Sequence, residues 1–468
     1  MFLNTEELSK MELTISSSTA AASTQAYSRH KHNTTGDIHI ANPVSCRSRC
    51  SVQYSVQYKD AAGVTSKENE LILCCARTHL EPKTRDRLSF LLRQELDWPG
   101  LIRTAHTHHV LPLLYANLCT SNPDAVPKVS LERIKDYYRQ NVQHSFFLCA
   151  ELLKLMKLFQ THQIKAIPFK GPVLAASAYQ DLTLRQFSDL DILVEKRHII
   201  EAGRLLVTEG YQPDSRASFD VHNDLDHDEV AFLGPKYYAF FKTERQIRVD
   251  LQWRLTESYF SFSLDRKELW QRLVPVSIAG ATVLTFPPAD MLLILCVHGS
   301  KHQWNQLKWI CDIAELLRVY KEQIDWEQTW NEASRHGAER MFGLGLYLAH
   351  ELLGTDLPKE VFERTPADRV TKSLVRQIGD RLFAQANDSS GAFAQIIFYL
   401  RMKDRWQERL QFCVSYLTQF LRKAFIPTSR DEQLLRLPAA FFSLYYFLRP
   451  LRLTLEYGRS VLTRQSRT

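Results

Sequence analysis

No run of about 18 apolar residues occurs in the 468-residue chain, so no transmembrane helix is expected. The opening residues, MFLNTEELSKMELTISSS, lack a basic segment followed by an apolar one, so no secretory signal is read there. The nine cysteines, Cys46, Cys50, Cys74, Cys75, Cys119, Cys149, Cys296, Cys311 and Cys413, include no CxxC pair and no paired zinc spacing. Cys46 and Cys50 make only a weak metal hint. Free thiols are what a reducing cytosol leaves, so a cytoplasmic location is expected.

Length points to two or three units, and the apolar content of 45% is enough for a sizeable core. The net charge of +7 is uneven. Residues 401–468 hold 13 Lys+Arg and 5 Asp+Glu, a difference of +8, so the remainder is about neutral. Such a tail can attract nucleic acid, anionic lipid or another polyanion. Solvated outer faces of terminal helices are the favoured reading, and nucleic acid is not a favoured partner.

Residues 1–66 are rich in Ser, Thr, His and Asn and include a tandem SVQY over Ser51–Tyr58, which reads as a low-complexity or disordered extension. Residues 67–163 show helical apolar spacing, with Asp97 as an N-cap before Trp98-Pro99 and two long helices expected over 129–163. His106, His108 and His109 cluster without a partner Cys or carboxylate and read as surface or packing residues. Residues 164–290 read as an α/β core and 291–468 as a helical region, basic towards its end. The acidic stretch 220–229 has its Gly and Glu in the wrong places for a calcium loop. Tyr237–Thr243 and Gln246–Leu255 form an expected hairpin, and Val283–Phe286 is a further strand ended by Pro287-Pro288. One helical element is expected from Asp290 to Asp312.

The richest stretch is 170–194, KGPVLAASAYQDLTLRQFSDLDILV. A strand ends at Phe169. Lys170-Gly171 makes a sharp turn, Pro172 suits a first helical turn, and Ser188–Val194 is a second strand. Alternation puts Asp189 and Asp191 on one face and Leu190, Ile192 and Val194 in the core. Paired carboxylates on a rigid strand suit a hard cation such as Mg²⁺, which in turn binds phosphate. A third carboxylate stands in QIRVDLQWRL. Ile247, Val249, Leu251 and Trp253 share one face of that strand, and Arg248, Asp250, Gln252 and Arg254 share the other. Asp is disfavoured in mid-strand. Beside Asp189 and Asp191, Asp250 would complete a triad able to hold two metal ions for an in-line phosphoryl displacement.

A Gly-containing turn, a helix, a strand with alternating Asp and a later strand with one Asp resemble the nucleotidyltransferase superfamily. More narrowly, Lys170-Gly171, Arg185, Ser188 to Val194 and Val249 to Leu255 are similar to a bacterial group of uncharacterised nucleotidyltransferases. Two departures stand out: Pro172 replaces the Ser of the usual Gly-Ser, and Gln252 stands where the group often has His. The resemblance implies an α+β fold, with a small mixed β-sheet nucleotidyltransferase core flanked by largely helical regions. It implies transfer of a nucleoside monophosphate from an NTP, such as ATP, to an unidentified acceptor hydroxyl, with release of pyrophosphate. Asp189, Asp191 and Asp250 would be the catalytic and Mg²⁺ (or Mn²⁺) ligands. Lys170, Gly171, Arg185 and Ser188 would bind the nucleotide phosphates, although Arg185 could instead brace its loop. Gln252, Arg254, His298, Lys301 and His302 form a candidate acceptor pocket. His298 and His302, four residues apart, share a helix face, but no third metal ligand is evident. A metal-dependent glycosyltransferase using Asp-x-Asp and a non-catalytic binding scaffold are the alternatives. The aromatic run at Phe441-Phe442 with Arg449 and Arg452 allows a membrane-surface contact, with core packing preferred.

Overall fold

Alternating apolar residues build a sheet whose one face closes a core and whose other face carries the carboxylates. The computed structural model describes residues 66–214, 237–243, 246–256, 266–364, 369–384, 392–403, 405–425, 438 and 444–454. The SVQY tandem, Cys46, Cys50, the acidic stretch 220–229 and Phe441-Phe442 lie outside the described residues. Strands β1 (Ala166–Phe169), β2 (Asp189–Val194), β3 (Gln212–Pro213), β4 (Tyr237–Lys242) and β5 (Ile247–Gln252) form one sheet in the order β1-β2-β5-β4-β3. β2 and β5 run parallel, and the other pairs are antiparallel. On β5, Ile247, Val249 and Leu251 are fully buried, as the alternation predicts. A separate hairpin, β6 (Val274–Ile278) with β7 (Ala281–Thr285), turns at Ala279 and Gly280, both with positive φ. The Thr285 hydroxyl donates to the Pro168 carbonyl at 2.8 Å and ties this hairpin to β1.

Before the sheet come α1 (Lys67–Cys75), α2 (Pro82–Leu91), α3 (Trp98–Thr107), α4 (Leu111–Ser121) and α5 (Lys128–Thr161). Asp97 caps α3 by accepting from the Gly100 amide at 3.0 Å, as expected. Instead of two long helices over 129–163 there is one of 34 residues, because no Gly or Pro interrupts the segment. Asn141 on α5 donates to the Thr183 carbonyl at 2.8 Å, fixing the loop that leads into β2. Within the sheet region lie α6 (Gly171–Ser177), α7 (Ile199–Thr208) and α8 (Arg266–Gln271).

After it come α9 (Pro288–Lys301), α10 (Leu307–Tyr320), α11 (Trp326–Arg335), α12 (Glu339–Leu353), α13 (Lys359–Arg364), α14 (Arg369–Phe383), α15 (Ala392–Arg401) and α16 (Trp406–Phe425). This is the α+β arrangement expected, a small mixed sheet between largely helical segments. All described residues belong to one compact unit, Val56–Thr468, with a continuous apolar core from Leu71 to Met402.

One departure shapes the site. The element expected to run from Asp290 to Asp312 is two helices. Gln303 and Trp304 take positive φ, the Trp304 amide returns to the Gly299 carbonyl at 2.8 Å, and the fully buried Trp304 indole lies flat on Gly299. A Cβ at Gly299 would collide with that ring. Gly299→Ala is therefore expected to lower stability by about 1–3 kcal/mol, the usual range for overpacking a dense core. A urea titration checks this, and an unchanged midpoint would mean that the indole can move.

Candidate active site

Parallel pairing of β2 and β5 sets Asp191 directly opposite Asp250, with Asp189 opposite Arg248. The three carboxylates border an open cavity of about 230 Å³. Five cationic side chains, Lys170, Arg185, Arg248, Lys301 and Lys308, also line it. With Arg185 paired to Asp312, four cations face three carboxylates, and the cavity favours an anionic ligand.

Each carboxylate stands differently. Arg248 donates to both oxygens of Asp250, at 2.7 and 3.1 Å. Asp191 accepts from Lys170 Nζ at 3.4 Å and from Gln252 Nε2. Asp189 has no hydrogen-bond or ion-pair partner among the described residues. Burial, and then the charge of Asp191, push the Asp189 carboxyl above its ordinary range, against the pull of Lys170, Lys308 and Arg248. Burial raises Asp250 to about 6, with Arg248 pulling it down and Asp191 and Asp189 adding to the rise. The three groups therefore feel one another's charge.

That donor chemistry suits a hard divalent cation. As the side chains stand, however, no three His, Cys, Asp or Glu groups among the described residues converge closely enough to hold a metal ion. Arg248 engages both oxygens of Asp250, and Lys170 and Gln252 engage those of Asp191. Asp189 has no such partner among the described residues.

Lys170 supplies its charge at a conformational cost. Its backbone sits at φ 56° and ψ −140°, a region that L-residues avoid, and such strain persists where surrounding structure enforces it. The turn was expected to rest on Gly171. Gly171 does take a positive φ of 30°, but Lys170 carries the more unusual geometry, and its ammonium lies 4.9 Å from the centre of the Phe169 ring.

Arg185 lines the cavity, yet its fork is engaged by Asp312 at 2.7 and 2.8 Å. Both side chains are buried, and Tyr179 also donates to Asp312 at 2.9 Å. The bracing role is thus present in the structure. Ser188 is exposed and does not line the cavity. Arg254 does not line it either, because β5 ends at Gln252 and the face alternation stops there. Gln252 is on the expected face and is spent on Asp191.

His298, Lys301 and His302 reach the cavity together with Trp309. The two imidazoles lie 4.6 Å apart, and His302 lies 4.9 Å from the Trp309 ring, so they form an aromatic wall. The turn at Trp304 folds α10 back and brings Trp309 there. Sequence reasoning did not single out Lys308, Arg248, Tyr237 or Phe187, which also line the cavity. Arg248 was on the correct strand face and was readable. Lys308 carried no local signal, since only the fold-back delivers it. Burial and the nearby Arg185 depress the Lys308 pKa, and its ammonium has no ion-pair or hydrogen-bond partner among the described residues.

The histidine cluster behaves as packing. His108 is buried, with Nε2 2.7 Å from the Leu382 carbonyl while Nδ1 accepts from the Leu307 amide at 3.3 Å. It thereby fixes the start of α10 beside Lys308. His106 packs against Tyr137.

A family model described as an uncharacterised nucleotidyltransferase matches residues 94–354, more than half of the chain and all of the sheet and cavity. No curated protein and no solved structure matches it.

Proposed function

The chain belongs to this uncharacterised nucleotidyltransferase family, and from that membership we propose a metal-dependent transfer of a nucleoside monophosphate from an NTP to an acceptor hydroxyl. The observation that carries the reading is the pairing of Asp191 with Asp250 across parallel strands, beside Asp189 and in a cationic cavity. The acceptor oxygen attacks the α-phosphorus and forms the new O–P bond. The bond to the bridging oxygen of the β-phosphate breaks, and pyrophosphate leaves. The hydroxyl proton passes to Asp250, whose raised pKa suits a base working near neutrality.

Asp189 and Asp191 would hold Mg²⁺ or Mn²⁺, with Asp250 joining once Arg248 lets go. A bound cation of this kind supplies charge stabilisation and a template for the triphosphate. Lys170 and Lys308 neutralise phosphate charge. Gln252 orients Asp191. The wall of His298, His302 and Trp309, with Lys301, faces the same cavity and forms the acceptor side.

Calorimetric titration of the four NTPs, with and without Mg²⁺, tests the reading in wild type and in Asp189→Asn/Asp191→Asn. One NTP is expected to bind only with the cation and only to wild type. Equal binding by the variant would remove the carboxylates from the site's function. A non-catalytic nucleotide-binding scaffold is favoured by one observation, the occupation of both Asp250 oxygens by Arg248. Under that reading an α-labelled NTP binds but its label never reaches any acceptor.

Lys308→Met is expected to weaken NTP binding by about 10- to 100-fold, the worth of one charge-assisted hydrogen bond. The apo protein should melt no lower than wild type, because the half-buried Lys308 ammonium, whose pKa burial and Arg185 depress, costs desolvation and forms no hydrogen bond or ion pair among the described residues. Titration and a thermal melt on the same samples check both halves. A lower melting point with unchanged affinity would make Lys308 a structural residue.

A further inference from the structure

A run of exposed apolar residues lies far along the chain from the cavity residues. Trp406, Leu410, Val414, Leu417, Leu421 and Phe425 recur every three or four residues on α16 and are each 45–67% exposed. That spacing puts them in one stripe along the helix. The opposite side carries Phe412, which is fully buried, so α16 packs on the body and presents its apolar side outward. A second helical segment, 444–454, adds Leu444, Phe447 and Leu451, again large and exposed. Monomeric soluble proteins rarely present contiguous apolar patches of this kind without a partner.

We propose that this face docks on an anionic lipid surface. Its charge selects the occupant. The stripe itself contains no charged residue, while residues 401–468 carry 13 Lys+Arg against 5 Asp+Glu. Arg405 and Arg409 are exposed at the start of α16, and Arg449 and Arg452 are half-buried on the second segment, so two copies apposed through this face would bring like charges together. Anionic headgroups would neutralise them, with the apolar stripe entering the acyl boundary and basic side chains reaching back to the headgroups. The 20 residues of α16 extend about 30 Å at the usual rise. No helix among the described residues is long and apolar enough to cross a membrane, so α16 lies along the surface and does not span it.

The test is flotation of the full chain with vesicles of phosphatidylcholine alone or mixed in equal parts with phosphatidylglycerol. Binding to the mixed vesicles only is expected, and it should weaken as salt is raised. Leu410→Gln/Leu417→Gln is expected to cut the bound fraction's partition constant by more than about tenfold, since both side chains drive insertion. Both are exposed, so the melting temperature should not change; Phe447→Ser provides a second variant on the other segment. Failure to bind either vesicle overturns the proposal, as does equal binding to both or binding unaffected by the variants. Sedimentation velocity covers the rival: a dimer that the double variant abolishes, without vesicle binding, would assign the stripe to a second copy.

Discussion

Asp312→Ala is expected to destabilise the fold by about 3–5 kcal/mol, the cost of leaving one member of a buried ion pair alone. Arg185 would keep its charge in a site where its fork now finds both Asp312 oxygens. The Tyr179 hydroxyl would lose its acceptor as well. Arg185→Met/Asp312→Leu removes both charges and should regain most of that loss, because apolar replacement of a buried pair is often neutral. The unsatisfied Tyr179 hydroxyl would hold back about 1–3 kcal/mol of it. Urea midpoints of the single and double variants measure this. The double variant also separates the two roles of Arg185. With the fold restored, unchanged NTP affinity makes Arg185 a brace for the loop before β2, whereas lost affinity makes it a phosphate ligand too. Recovery no better than the single variant would mean that the pair sets local geometry that apolar side chains cannot replace.

What could be read from the sequence follows from how far each signal travels. Strand alternation is local, so β2, β4 and β5 and the shared face of Asp189 and Asp191 were readable without a structure. The pairing of Asp191 with Asp250 was readable once both strands were assumed to be neighbours. The same reasoning overreached at Arg254, because alternation does not announce where a strand ends. The hairpin partner of β7 was missed although Ala279-Gly280 offered a turn; Val274 to Ile278 is short and includes Pro275. The break between α9 and α10 had no Pro or Gly at the turning residues. Its cause is a tertiary contact, Trp304 against Gly299, and with it came Lys308 and the position of Trp309. Alternation put Arg248 on the face of Asp250, but the contact of Lys170 with Asp191 was beyond a linear reading, since a turn residue has no fixed face.

Asp250→Asn is expected to lower kcat by about 10²- to 10⁴-fold, the span attributed to a positioned general base, with little effect on KM for the NTP. The pH dependence makes this specific. Asp250 in the fold titrates at about 6, above its ordinary value, so it is a competent base only when the pH exceeds that figure. The acid limb of kcat/KM should fall in that region and report the carboxylate cluster as a coupled group. Arg248 pulls Asp250 down, while burial, Asp191 and Asp189 push it up. Arg248→Met removes the pull, so the limb should move to higher pH. The linked stability change has a definite sign. A carboxyl whose folded pKa is raised favours folding below its unfolded pKa, and that contribution is lost as pH rises through the folded value. Arg248→Met should therefore lose more stability relative to wild type at pH 8 than at pH 5. Denaturation at both pH values, alongside rate profiles, tests the two consequences together. An acid limb that stays in place while stability shifts as described would leave Asp250 buried and coupled, but would assign the proton to another acceptor.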